Sequence, residues 1–192
     1  MLNAIKRLGG LVVADVKTVA REAWFARRQP TLFTLDGVVL ELDWRVSPLV
    51  RASVWSWRDY EHRERRIIET TLRTDDTVLE LGAGLGFITT IAARIARDVN
   101  AYEADPDMAS AAAATIVRNG VRATVTHGAL LRSPGSGTTP FYRSENFWES
   151  SLLPVHGWAS VEIPVLDFAE ACEGASYLIV DIEGGEVDLL AG

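Results

Sequence analysis

Apolar positions in the opening segment recur at helical spacing. Ile5, Leu8, Val12, Val16 and Val19/Ala20 fall near one face, so residues 2–28 read as helix, although Gly9-Gly10 weakens the pattern and favours a break into two short helices. Pro30 ends the segment. The stretch from Thr31 to Asp43 changes to alternation around Asp36-Gly37, a dipeptide suited to a tight turn, which predicts a β-hairpin with Leu32, Leu35, Val39 and Leu40 among its apolar positions. Residues 48–58 read as loop with a short strand or turn. Glu61 to Leu72 reads as a charged helix that turns Ile67 and Ile68 inward.

From Thr77 the pattern becomes an alternation of short apolar runs and helical stretches. Strands are predicted at Thr77–Leu81, Asn100–Glu103, Ala123–Thr126 and Ser176–Asp181. Helices are predicted at Phe87–Ala96 and Pro106–Asn119, with a short one at Leu166–Cys172 and a further start at Gly185. Asp105 before Pro106 suits a helix N-cap, and Asn119-Gly120 suits a stop. Ser133 to Pro140 reads as loop, and Phe141–Leu153 with Val161–Val165 as a β-excursion. Such alternation implies an α/β fold with a mostly parallel sheet covered on both faces.

Composition adds limits. Of 192 residues, 48% are apolar and 23% charged, the balance of a water-soluble globular chain with room for one ordinary domain. The longest uncharged stretch, Leu81 to Ala93, has 13 residues, short of the ~20 of a membrane helix. Lys17 and Arg21 interrupt the first apolar segment, so no secretory signal is expected, and the expected location is cytoplasmic. The single cysteine, Cys172, excludes a disulfide framework within these residues. Six basic residues against two acidic ones give residues 1–30 a charge of +4, leaving −11 of the total −7 for the rest. An acidic body of this kind leads to the expectation that nucleic acid is not a partner.

The chemistry concentrates where the first core strand hands over to a helix. Val78-Leu79-Glu80-Leu81-Gly82-Ala83-Gly84-Leu85-Gly86-Phe87 places glycines at 82, 84 and 86. A dinucleotide loop wants glycine at its first, third and sixth positions, and the sixth here is Phe87. Glu80 would repel a pyrophosphate but attract the ammonium of a methionine-like group, which favours S-adenosylmethionine over a nicotinamide cofactor. Glu103 lies 21 residues after Gly82, near the ~20 expected of an acid that binds ribose hydroxyls. His62, His127 and His156 are too scattered to suggest a zinc set. His127 reads as structural, and His156 is a weak candidate base beside Trp158. Trp148 and Trp158 flank the excursion, as packing residues or as parts of an acceptor-side lid.

Four stretches together resemble the FkbM-type family of S-adenosylmethionine-dependent class I methyltransferases. They are Tyr60-Glu61, Leu79 to Gly86, Tyr102-Glu103-Ala104-Asp105-Pro106, and Val180-Asp181-Ile182-Glu183-Gly184-Gly185-Glu186. The resemblance implies a Rossmann-like domain over residues 59–192, preceded by a helical arm and hairpin over 1–58. It implies a cofactor site of Glu80, Gly82, Ala83, Gly84, Gly86, Phe87, Glu103, Ala104, Gly128, Ala129 and Leu130, the last three beside the adenine ring. It places Asp181 and Glu183 beside the transferring methyl, with no metal assigned. It also implies O-methylation of a hydroxyl on a small molecule or glycan.

From the residues alone, the two carboxylates are open to three readings: a base, a divalent-cation pair, or a helix cap with a solvated neighbour. The family sheet has seven strands and four are counted before Gly192, so the expectation is an incomplete sheet. Its fourth strand would then have an uncovered edge available to a second copy, or in a catalytically silent remnant to another chain.

Overall fold

The computed structural model describes residues 5–8, 11–14, 24, 27–28, 30–42, 46–47, 50–51, 54, 61–135, 137–144, 149–182 and 185–190. The chain divides into two compact units, Met1–Thr31 and Leu32–Gly192. In the first, β1 (Ile5–Leu8) pairs antiparallel with β2 (Leu11–Ala14), Leu8 opposite Leu11. This replaces the helix expected there. A two-residue spacing with Gly-Gly in sequence is a hairpin signal, and β-branched Val12 and Val13 favour an extended chain. Trp24, Arg27 and Arg28 are helical and exposed.

The second unit opens with the predicted hairpin, β3 (Leu32–Leu35) and β4 (Val38–Glu41). Asp36 and Gly37 both have positive φ, 46° and 77°, as a turn matched to strand twist requires. Phe33, Val38 and Leu40 are buried, whereas Leu32 is exposed. The expected domain boundary at 58/59 falls inside this unit. Helix α1 (His62–Thr71) buries Ile68 but leaves Ile67 58% exposed, because neighbouring helical positions lie about 100° apart and only one can face the core.

The central sheet has four parallel strands in the order β11 (Tyr177–Val180), β5 (Thr77–Leu81), β6 (Asp98–Glu103), β7 (Thr124–His127). Helices α2 (Phe87–Ala93) and α3 (Pro106–Asn119) connect them. Every residue of β5 after Thr77 is buried, Glu80 included, as in a strand covered on both faces. The Asn119 side chain brackets Val39, accepting from its N–H at 3.0 Å and donating to its carbonyl at 2.8 Å, which ties the hairpin to the end of α3. Among the described residues β11 pairs only with β5 and forms the sheet's edge.

A second sheet carries the excursion. Its order is β8 (Ala129–Leu131), β10 (Ala159–Asp167), β9 (Thr138–Arg143), with β8 parallel and β9 antiparallel to β10. Residues 138–140, expected in a loop, belong to β9. Pro140 is tolerated there because β9 is an edge strand and needs no further amide donor. Asp167 caps the short α4 (Phe168–Ala171), and α5 (Glu186–Leu190) follows the central edge strand.

Candidate active site

A cavity of about 470 Å3 opens at the carboxyl ends of β5, β6 and β11, where open α/β sheets bind ligands. Its size lies within the ~300–1,000 Å3 of small-molecule and cofactor pockets. Gly82, Gly84, Glu103, Ala104, Gly128, Ala129, Leu130 and Asp181 all line it. These residues come from four separate stretches of sequence, and the fold brings them to one place.

The loop is held by its own backbone. The Tyr102 carbonyl accepts from Gly82 and Ala83, at 2.9 and 3.2 Å, and the Ala83 carbonyl accepts from Gly86 at 2.8 Å. Gly84 N–H donates to Glu103 Oε2 at 2.8 Å. Four amides that a pyrophosphate would use are therefore committed inside the protein, so the loop offers shape rather than a phosphate cradle. That geometry agrees with a cofactor lacking phosphate at this point.

Gly82 has φ 88°, and a Cβ there would lie 2.0 Å from the Asp181 carbonyl oxygen. Only glycine lets β11 run so close to the loop. A Cβ on Gly86 would stand 2.9 Å from Ala112 Cα, so this glycine sets the packing of α2 on α3.

Glu103 is the best-anchored carboxylate. Its Oε2 takes the Gly84 amide and its Oε1 the Asp105 amide, each at 2.8 Å. Burial pushes the carboxyl up to about 7, while these amides pull it the other way. Each oxygen keeps a lone pair for a hydroxyl in the cavity.

Four expected cofactor residues do not line the cavity: Glu80, Ala83, Gly86 and Phe87. Ala83 packs with Ala101 and Ala112, and Phe87 is buried at 1% exposure. Their contribution is to close-pack the loop. Glu80 was expected beside the cofactor's amino group but lies buried beneath the loop, its Oε2 without a hydrogen bond, as is the Thr89 hydroxyl. Burial pushes the Glu80 carboxyl up to about 8.

Asp181 stands at the cavity wall and is open to solvent. Partial burial, then the charges of Glu64 and Glu186, hold its carboxyl above the ordinary value. Glu183 lies outside the described residues, as do Tyr60 and Trp148. His127 faces the Ala104 carbonyl at 3.2 Å rather than the cavity, and His62 and His156 are exposed. Trp158 does not line the cavity.

The structure also supplies wall residues that sequence reasoning missed. Tyr102 lies one position before the ribose-type acid, a signal that was available. Phe141 on β9, the segment Ser150–Leu153, and Asp188 and Leu189 of α5 reach the wall through long-range pairing. Tyr142 bridges to Ser151 and Arg132 Nε donates to the Leu189 carbonyl at 2.7 Å, contacts that no local pattern announces.

Residues 59–133 match the family model for ribosomal RNA adenine dimethylase. The chain has the Rossmann-like fold of the class I methyltransferases. Solved structures similar to it include TYW2 from M. jannaschii in complex with AdoMet, at 18% identity over 50% of this chain and 42% of that one, TM-score 0.41. Trm5b from Pyrococcus abyssi matches at 15% identity over 66% and 37%, TM-score 0.42. The 23S rRNA methyltransferase ErmE matches at 36% identity over 34% and 27%, TM-score 0.31. The chain thus spans well under two thirds of these proteins' lengths. No curated protein sequence matches it.

S-adenosylmethionine as the expected cofactor agrees with the family matched over residues 59–133. The matched family is an S-adenosylmethionine-dependent one, but not the FkbM type. The expectation that nucleic acid is excluded is overturned by the match to a ribosomal RNA family, and with it the preference for a small-molecule or glycan acceptor. The physical error lay in using the summed charge of −11 beyond residue 30, since phosphate contacts depend on local arginines and lysines rather than on a total.

Proposed function

We propose that this chain carries the cofactor-binding part of an S-adenosylmethionine-dependent methyltransferase, with RNA as its acceptor. The observation that carries the reading is the Gly84–Glu103–Asp105 clasp. It presents a doubly anchored carboxylate to a cavity beside a glycine loop whose amides are already satisfied. The cofactor supplies an activated methyl on sulfur, and the protein's task is to align and deprotonate. Glu103 would hold the ribose hydroxyls, Gly82 and Gly84 would admit the methionine end, and Ala129 and Leu130 would contact the adenine.

RNA as acceptor rests on the family match, which covers residues 59–133 and stops before Asp181. The accepting atom is therefore argued from Asp181. A carboxylate held above its ordinary value at the cavity wall suits removal of a proton from a hydroxyl, a contribution of roughly 10²–10⁴-fold. The FkbM-type resemblance at residues 180–186 supports the same atom type.

The test is transfer of radiolabelled methyl from S-adenosylmethionine to total RNA, followed by nucleoside digestion. The expected product is a ribose-methylated nucleoside. A methylated base would keep the RNA reading and sink the hydroxyl. Label entering only small hydroxyl compounds would sink RNA.

A further inference from the structure

Beyond the clasp, Glu103 is connected to the second sheet. Asp105, 3% exposed, gives its amide to Glu103 and caps α3 by accepting from Asp107 and Met108 at 2.8 and 3.3 Å. The same carboxylate receives a two-pronged contact from Arg143 at the end of β9: Nε to Oδ2 at 2.9 Å and an Nη to Oδ1 at 3.2 Å. Arg143 also donates to Asp107. The residue next to it, Tyr142, exchanges both backbone hydrogen bonds with Ser151, at 2.9 and 3.0 Å. The Ser144 amide donates to Ser150 Oγ at 3.0 Å. Ser150 and Ser151 are themselves cavity wall.

We infer that Arg143 is a positioning residue that couples the wall built by β9 and Ser150–Leu153 to the nucleoside corner at Glu103. Its planar fork fits the Asp105 carboxylate in a way a point charge does not. Two consequences follow. Arg143 fixes the peptide that delivers the Asp105 amide to Glu103, and so fixes the carboxylate's direction. It also neutralises the Asp105 charge, which otherwise works to keep Glu103 protonated. With Arg143 in place, Glu103 ionises at lower pH and accepts ribose hydroxyls over a wider range.

This inference rests on the proposed cofactor reading, and calorimetric titration with S-adenosylhomocysteine separates the two. Binding by the unaltered chain tests the reading, and the variants test Arg143. Arg143→Met is expected to weaken binding at pH 7 about tenfold and to move the pH midpoint of binding upward. Arg143→Lys is expected to restore the midpoint but only part of the affinity. Asp107→Asn, at a half-buried position, is expected to weaken binding two- to threefold with the midpoint kept, which serves if Arg143→Met fails to fold. Affinity unchanged in all three variants would overturn the inference. So would a loss in Arg143→Met with no shift of midpoint and no rescue by lysine, the outcome of a merely structural role.

Discussion

The two sides of the cavity are built differently. On the side proposed for the cofactor, β5, β6 and the loop after β5 meet through backbone amides and one carboxylate, at hydrogen-bond distances between 2.8 and 3.2 Å. On the opposite side, the wall comes from β9, Ser150–Leu153 and α5, held by strand pairing, an arginine fork and apolar packing. A site that binds an unvarying cofactor needs a fixed backbone, whereas an acceptor wall can be rebuilt by side chains on a loop-borne sheet.

The sharpest break in this comparison is Gly82→Ala. A methyl cannot fit 2.0 Å from the Asp181 carbonyl at φ 88°, so β11 must separate from the loop. A loss of roughly 3 kcal/mol or more is expected from clash and strain together, read as the denaturant midpoint. Asp181→Asn comes next. It should leave S-adenosylhomocysteine affinity within threefold and lower methyl transfer roughly 10²–10⁴-fold. An equal loss of both would place Asp181 on the cofactor side.

Acidity separates the two functions of the buried carboxylates. Glu80 and Glu103 are pushed up from 4.5 to about 8 and about 7. The folded chain therefore holds more protons than the unfolded one between those limits. The stability contribution is full below about 4.5 and is lost as pH rises through about 7 and then 8. Ligand binding to ionised Glu103 runs the other way and improves as pH rises through about 7. Melting temperature should fall between pH 5 and pH 8 while S-adenosylhomocysteine affinity rises, and Glu80→Gln should lessen the first trend more than the second.

Smaller effects mark the other wall and the rim. Phe141→Leu, in the buried cluster with Ala129 and Ile163, should cost about 1 kcal/mol and change the acceptor's KM more than cofactor affinity. Arg122→Ala removes an exposed ion pair to Asp98 at 3.3 Å and should change stability by less than about 0.5 kcal/mol.

The same division explains what could be read from the sequence. The four core strands, the Asp36-Gly37 turn, the Asp105 cap and the glycine loop depend on local patterns, and each stands where those patterns put it. Glu103 was reachable because a ribose acid has a characteristic distance from the loop. The first hairpin was missed because apolar spacing at Ile5, Leu8 and Val12 fits a helix as well as a two-residue turn. Phe141, Ser150 and Arg143 were missed because β9–β10 register joins residues far apart in the chain. Glu80 was misplaced because charge preference says nothing about which side of a strand a carboxylate takes. In β5 it points into the core.

Calorimetric titration with S-adenosylhomocysteine at pH 8, comparing the chain with Glu103→Gln, tests the central claim most directly. Binding by the chain and at least a tenfold loss in the variant are expected, because glutamine keeps one acceptor oxygen and turns its NH2 toward the other backbone donor. Equal binding by both, or no binding by a folded chain, would contradict the assignment of this cavity to the cofactor.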